Sequence, residues 1–105
     1  MRIIETTIFT KRVQEILTED EYRLFQIKLI ESLEAGNIIS GSAGIRKIRW
    51  TGAGRGKRGG SRILYYWEKN QNTILMLFIF NKNEKADLSK EQLKILKSIV
   101  ELEYK

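Results

Sequence analysis

Seven of the chain's 19 Lys and Arg residues fall between Ala35 and Trp67, a stretch without a single Asp or Glu. They are Arg46, Lys47, Arg49, Arg55, Lys57, Arg58 and Arg62. The remaining 12 cations face 13 acids, so the rest of the chain is net −1 within a total of +6. A generally basic surface spreads its charge, whereas a localised field of one sign attracts and orients an anionic partner. Nucleic acid is the leading class of partner, with an acidic protein segment or a membrane surface as rivals. The 105 residues contain no His and no Cys. That composition excludes a thiol nucleophile, an imidazole acid–base pair, a His-containing metal site, a zinc finger and a disulfide framework.

The segment 51–61, TGAGRGKRGGS, holds five glycines and three cations and no apolar side chain larger than alanine. A P-loop needs Ser or Thr after its GK and a helix after the loop. Here Arg58 follows the GK and a strand pattern comes next, so nucleotide binding of that kind fails, as does a dinucleotide fold. A basic loop rich in backbone donors remains, suited to wrapping a sugar-phosphate backbone. Lys47 and Arg49 share one face of the preceding strand pattern, and Arg62 opens the following one. If those strands pair, the three cations converge at the base of the loop, where like charges oppose sheet pairing unless an anion offsets them. Glu84 and Asp87, beside Lys82 and Lys85, could bridge some of these cations. No carboxylate lies close enough in sequence to form a paired acid–base site. Trp50, Tyr65, Tyr66 and Trp67 interleave with the cations, as in stacking platforms for unpaired bases. Alternation assigns Trp50 and Trp67 to the core and Tyr66, on the face of Arg62, to the wall of a cleft.

The elements that must position these residues follow from periodicity. Residues 2–9, RIIETTIF, read as a strand, and Phe9, Val13, Ile16 and Leu17 then take helical spacing. Thr18 with Glu21 forms a capping-box pattern that opens a second helix near Glu19, so the two helices make a hairpin hinged at Thr18. Tyr22, Phe25, Leu29 and Leu33 form that helix's buried stripe, widened by Ile27 and Ile30, and Gly36 is its expected stop. After a polar segment, 37–44, GIRKIRW reads as a strand with Ile48 and Trp50 on one face and Lys47 and Arg49 on the other. Arg46 is expected at its frayed start. RILYYWE and NTILMLFIF form two more strands joined by a turn at Asn70–Asn72, the second apolar on both faces as a covered central strand is. Ser89 with Gln92 caps a last helix carrying Leu93, Leu96, Ile99, Val100 and Leu102.

The expected fold is a single α+β domain over 1–105, with the strand and helical hairpin packed on a mainly antiparallel four-stranded sheet, and a C-terminal helix. No signal-peptide pattern opens the chain, and its longest apolar run, Ile74–Phe80, is far shorter than a membrane-spanning helix. The expectation is a soluble, cytoplasmic protein without membrane contact, metal or cofactor.

GIRKIRW, GRGKRGGSRILYYW and LFIFNKNEKADLS, behind a strand and helical hairpin and before a closing helix, resemble the RelE/ParE superfamily of bacterial toxins, closest to its HigB-like branch. The resemblance covers essentially the whole chain, and the RGGSRILYY segment is its most specific part. It implies the RelE-like fold and a ribosome-dependent endoribonuclease, an mRNA interferase that cuts mRNA in the A site and so inhibits translation and growth. It also implies a cognate antitoxin of helix-turn-helix, HigA-like type. Position by position, Lys47 and Arg49 match the outward basic positions of the family's second strand, Arg62 the arginine opening the third, and Lys82 the lysine after the fourth. The sequence departs from RelE proper at Arg49, where a lysine acts as general base, at Asn83, where an arginine stands, and at Ser89, where a tyrosine stacks.

The reaction so implied is attack of a 2′-OH on the adjacent phosphorus, giving a cyclic phosphate and a free 5′-OH. Arg62, Arg49 and Arg58 are expected to hold the non-bridging oxygens with forked guanidinium geometry. A lysine is expected as base, since an ammonium among like charges releases its proton more readily and an arginine does not. Lys47, Lys57 and Lys82 all fit that role, with Glu84 orienting one of them or accepting from the 2′-OH. Arg46, Arg55, Tyr66, Asn83 and Lys85 are expected to bind RNA around the cut. Two other readings share the fold: a ParE-like gyrase inhibitor and a non-catalytic RNA-binding protein.

Overall fold

The computed structural model describes residues 1–51, 60–84 and 88–104. Its elements are β1 (Arg2–Glu5), α1 (Thr7–Ile16), α2 (Glu19–Glu31), β2 (Asn37–Ile38), β3 (Arg46–Trp50), β4 (Ser61–Glu68), β5 (Thr73–Asn81) and α3 (Lys90–Tyr104). The strands form one five-stranded sheet in the order β1-β5-β4-β3-β2. β1 runs parallel to β5 and every other pairing is antiparallel. The sheet is therefore mixed and has one strand more than the four expected. The addition is β2, a two-residue edge strand too short to show alternation in sequence.

β5 lies between β1 and β4, and its residues are buried almost throughout, as its two-sided apolar pattern predicts. On one face, Phe9, Val13, Phe25 and Leu29 of α1 and α2 pack on Ile63, Tyr65, Ile74, Met76 and Ile79. On the other, Leu96 and Val100 of α3 pack on Leu64, Tyr66, Leu75, Leu77 and Phe80. Between Leu64 and Tyr65 the ladder shifts register: Leu64 pairs with Phe78 but Tyr65 with Met76. Leu77 is the additional residue, and this β-bulge turns Leu77 and Phe78 toward the same α3 side.

Both capping boxes form. Thr18 Oγ1 accepts from the Glu21 N–H at 3.1 Å while the Glu21 carboxylate accepts from the Thr18 N–H at 3.0 Å. Ser89 and Gln92 exchange the equivalent pair at the start of α3. The first boundary differs from the expected strand over 2–9. Thr6 leaves the strand to cap α1, accepting from the Phe9 N–H and donating its own hydroxyl to the Leu77 carbonyl, so Thr7–Phe9 are helical. β-branched residues favour strands only weakly, and a cap with an amphipathic face overrides that preference.

α2 ends at Glu31, five residues before the expected stop at Gly36. The cause is Tyr65, fully buried on β4. Its phenol donates to the Leu33 carbonyl and accepts from the Gly36 N–H, both at 3.0 Å, so the chain must turn off the helix to cross it. A Cβ at Gly36 would lie 2.9 Å from the Tyr65 ring and hydroxyl, which is why a glycine stands there. Burial pushes the Tyr65 phenol above its ordinary pKa and keeps it a donor. Ile27 and Ile30, expected to widen the buried stripe, are exposed, because α2 meets the sheet along the narrower line of Phe25 and Leu29.

Tyr65→Phe removes both bonds and leaves a buried carbonyl and N–H without them. We expect a loss of about 1–3 kcal/mol at unchanged m-value in urea unfolding, whereas Tyr66→Phe, whose hydroxyl lies 3.4 Å from the Glu68 carboxylate, changes stability less.

Candidate nucleic-acid interface

The cations gather where strand ends escape the helices. In the β3–β4 ladder Arg49 stands directly opposite Arg62, Lys47 opposite Leu64 and Trp50 opposite Ser61. Lys47, Arg49 and Arg62 therefore share the sheet face that α3 covers further along. Directly opposed residues have Cβ atoms about 5 Å apart, and Lys47 is a diagonal neighbour of Arg62. Arg49 is exposed, and Lys47 and Arg62 are half-buried. On its other side Arg62 pairs with Phe80, which is fully buried and supports the arginine's stem with apolar surface.

A turn brings in the next strand end. The Lys82 N–H donates to the Gly60 carbonyl at 3.1 Å, placing Lys82 beside the start of β4, two residues from Arg62. Gly60 has a φ of +64°, and a Cβ there would lie 2.6 Å from the Trp50 carbonyl. The exits of β3 and β5 and the entry of β4 thus converge on a position only glycine fills. The Ser61 hydroxyl adds a 3.0 Å bond to the Asn81 side-chain oxygen.

Lys82 and Asn83 are the central, exposed residues of the turn closed by the Glu84 N–H on the Asn81 carbonyl. Glu84 locks it: one carboxylate oxygen accepts from the Asn81 N–H at 2.8 Å and from the Arg12 guanidinium at 2.7 Å. Arg12, on α1, also donates to the Ile79 carbonyl at 2.6 Å and lies over the Phe78 ring. The Glu84 carboxylate is thus engaged by a cation outside the cluster. It orients Lys82 through the turn's backbone.

Of the expected RNA-binding residues, Arg46 is placed on the other face and Tyr66 is covered. Arg46 lies on the opposite face, where its guanidinium donates to the Glu34 and Gly36 carbonyls at 3.1 and 2.7 Å and pairs with the Glu34 carboxylate. It is the first full ladder residue of β3 and is not frayed, because those bonds tie it to the α2–β2 connection. Tyr66 does share the face of Arg62, but Tyr104 of α3 stacks on its ring with centroids 5.5 Å apart and leaves it 9% exposed. Trp50 and Trp67 pack against the hairpin side of the core, Trp50 edge-on to Phe25. Arg55, Lys57, Arg58 and Lys85 lie outside the described residues, and Asp87 with them.

The site therefore brings together Lys47, Arg49, Arg62, Lys82 and Asn83. The residues missed from sequence are Arg12 and Gly60. No local signal marks an arginine that reaches across 72 positions to Glu84, while Gly60 was hidden among its neighbouring glycines. A hollow of about 650 Å3 lies between α2 and β3 and is lined by Leu24, Ile27, Ile48 and Trp50. It is largely apolar and only skirts the cluster at Arg49, so it does not mark this chemistry. The cluster gathers guanidinium and ammonium groups on neighbouring strand ends, a set of donors whose chemistry suits phosphate oxygens.

The sequence model of a family described as the RelE toxin of the RelE/RelB toxin-antitoxin system matches residues 1–104. A double mutant of the E. coli toxin RelE in the free state is similar in structure, with a TM-score of 0.62 at 14% identity, covering 94% of this chain and 96% of that one. A chain of the intact E. coli RelBE toxin-antitoxin complex gives a TM-score of 0.56 at 14% identity, covering 76% of this chain and 94% of that one. Across so low an identity, these likenesses concern the fold.

The Arg12–Glu84 pair generates a prediction that separates support from chemistry. In a double-mutant cycle with Arg12→Ala and Glu84→Ala, urea unfolding should give a coupling of about 0.5–1 kcal/mol, in the range of a partly exposed pair. Zero coupling would show that the pair does not hold the turn.

Proposed function

This chain belongs to the RelE toxin family of toxin-antitoxin systems, and from that premise we propose that it is a ribosome-dependent, mRNA-cleaving toxin of the HigB-like kind, neutralised by a helix-turn-helix antitoxin. The observation that carries the proposal is the direct opposition of Arg49 and Arg62 on an exposed sheet end, with Lys82 pinned beside them. Opposed like charges weaken a sheet pair, and a phosphodiester placed between them removes the conflict. The RGGSR run that leads into β4 favours this reading over gyrase binding.

In the proposed reaction the RNA 2′-OH gives its proton to a base, and its oxygen attacks the adjacent phosphorus. The phosphorane gains negative charge on its non-bridging oxygens. The P–O5′ bond then breaks, the 5′ oxygen takes up a proton, and a 2′,3′-cyclic phosphate remains. Arg62 and Arg49 supply preorganised, forked donors to the oxygens where charge develops, so they act most strongly in the transition state. Lys82 and Lys47 approach the same space from the turn and from the strand and are the described lysines able to move a proton. Lys57 and Arg58 belong to the proposal on the resemblance alone. Positioning of the nucleotide supplies the rest of the rate gain, and the ribosome supplies that positioning by holding the message.

Purified ribosomes programmed with mRNA, followed by mapping of new 5′ ends, test this directly. Arg62→Ala should lower the cleavage rate constant about 10²–10³-fold while leaving the melting temperature close to that of the parent. Unaltered cutting by that variant would remove Arg62 from the reaction. Inhibition of gyrase supercoiling by a parent protein that cuts no mRNA would replace the proposal by the ParE-like reading.

A further inference from the structure

α3 carries a second concentration of positive charge that the cluster does not include. Lys90, Lys94 and Lys97 follow i, i+4, i+7 spacing and so form one row about 10 Å long on a single flank of the helix. All three line one shallow hollow of about 260 Å3, together with Leu93 and with Gly41 of the β2–β3 connection. Lys90 and Lys94 are exposed and Lys97 is half-buried. Among the described residues none of the three joins an ion pair, and Glu101, one turn beyond Lys97, ends the row without closing a bridge to it.

Left to itself the row is unfavourable. Like charges at i, i+4 repel, and Lys90 stands in the first turn, where the helix dipole is positive. The connection beside it is firmly held. The Ser42 hydroxyl donates to the Ile39 carbonyl at 2.6 Å and accepts from the Ile45 N–H at 3.0 Å, so the hollow has a fixed wall.

The placement of α3 fixes where the row points. Leu96 and Val100 face the sheet, and Ile95 and Ile99 line the flank toward Ile8 and Phe78. The lysines occupy the other flank, toward the β2–β3 edge of the sheet. β3 carries Lys47 and Arg49 on that same face, with Lys47 two residues nearer the connection. The Lys47, Arg49 and Arg62 face and the α3 lysines thus lie on the same side of the sheet, with Gly41 of the β2–β3 connection beside the lysines. The row also lacks apolar anchors: its hollow contains only Leu93, and the most exposed apolar residues of α3, Ile95 and Leu102, do not line it. A protein partner or a membrane surface takes much of its affinity from such anchors. Charge alone, in a line, is the recognition chemistry of a phosphate backbone.

We propose that Lys90, Lys94 and Lys97 form a second RNA contact, holding the sugar-phosphate backbone of a strand that continues from the Lys47, Arg49 and Arg62 cluster. The row anchors RNA away from the bond that is cut. This inference rests on the reading of the cluster as an RNA site.

The test uses the full chain and a short 2′-O-methylated RNA oligonucleotide, which binds but has no free 2′-OH to attack. Fluorescence anisotropy over a range of salt concentrations gives the slope of log K against log salt, which loses about 0.7 for each phosphate contact removed from a single strand. The triple variant Lys90→Gln, Lys94→Gln, Lys97→Gln should flatten the slope by about 2, with the helix retained because Gln is a good helix former. If the triple variant fails to fold, Lys94→Gln alone should flatten it by about 0.7. An unchanged slope, or a parent protein that does not bind the oligonucleotide, overturns the inference. So does a loss of affinity confined to an acidic antitoxin peptide. Cleavage of programmed ribosomes reads the parent proposal separately: a flattened slope in a protein that cuts no mRNA leaves the row and removes the nuclease, and cutting with an unchanged slope does the reverse.

Discussion

Everything in this molecule depends on covering β4 and β5 on both faces. Ile63, Ile74, Met76 and Ile79 need the helical hairpin, while Leu64, Leu75, Leu77 and Phe80 need α3. Among the described residues, β4 and β5 are covered along most of their length while Arg49 stays exposed and Lys47 and Arg62 stay half-buried. Burying a cation beneath a helix costs far more than leaving it near the surface unless it is paired. Lys47, Arg49, Arg62 and Lys82 lie toward the end where β3 and β5 leave the sheet and β4 enters it. The bulge at Leu77 serves the same demand, since it gives α3 one more apolar side chain to pack on.

The precision of the cluster comes from the backbone. Antiparallel register fixes Arg49 against Arg62, and no side-chain contact is required to hold them in place. Lys82 is less constrained by the sheet, so the structure constrains it twice more: by its own N–H on Gly60 and by the Glu84 carboxylate, which closes the turn and is gripped by Arg12. An ion pair that is nearly worthless as surface decoration acquires a purpose when it locks a turn. A geometry set by main chain and turn survives the comings and goings of a flexible, highly charged ligand, which is what preorganised charge stabilisation demands.

What was legible in the sequence was what is local. Thr18 with Glu21 and Ser89 with Gln92 announce their helices, because each cap satisfies donors three residues away. Strict alternation in β3 separates Ile48 and Trp50 from Lys47 and Arg49, and pairing across the loop follows from the glycine run. What was not legible depends on distant partners. Nothing around Arg46 shows that Glu34 and Gly36 will take up its guanidinium, and nothing around Tyr66 shows that Tyr104 will lie over it. Likewise the end of α2 is set by a tyrosine on β4, and β2 exists only because β3 offers it an edge. The site's basic core could be placed from sequence, whereas its rim could not.

The opposed arginines also link folding to binding. Arg49 and Arg62 stand directly opposite one another in the ladder, a placement of like charges that an anion seated between them favours. A polyanion seated on the cluster binds the native state far better than the unfolded one and stabilises it by RT ln(1 + [L]/Kd). The relief is the same whether the negative charge belongs to an RNA backbone or to acidic side chains of a protein that covers the cleft. On the proposed reading, an RNA backbone and an acidic protein segment seated on these arginines would exclude one another. A neutralising partner that placed acidic side chains on this cluster would hold such a toxin inactive without a separate regulatory site.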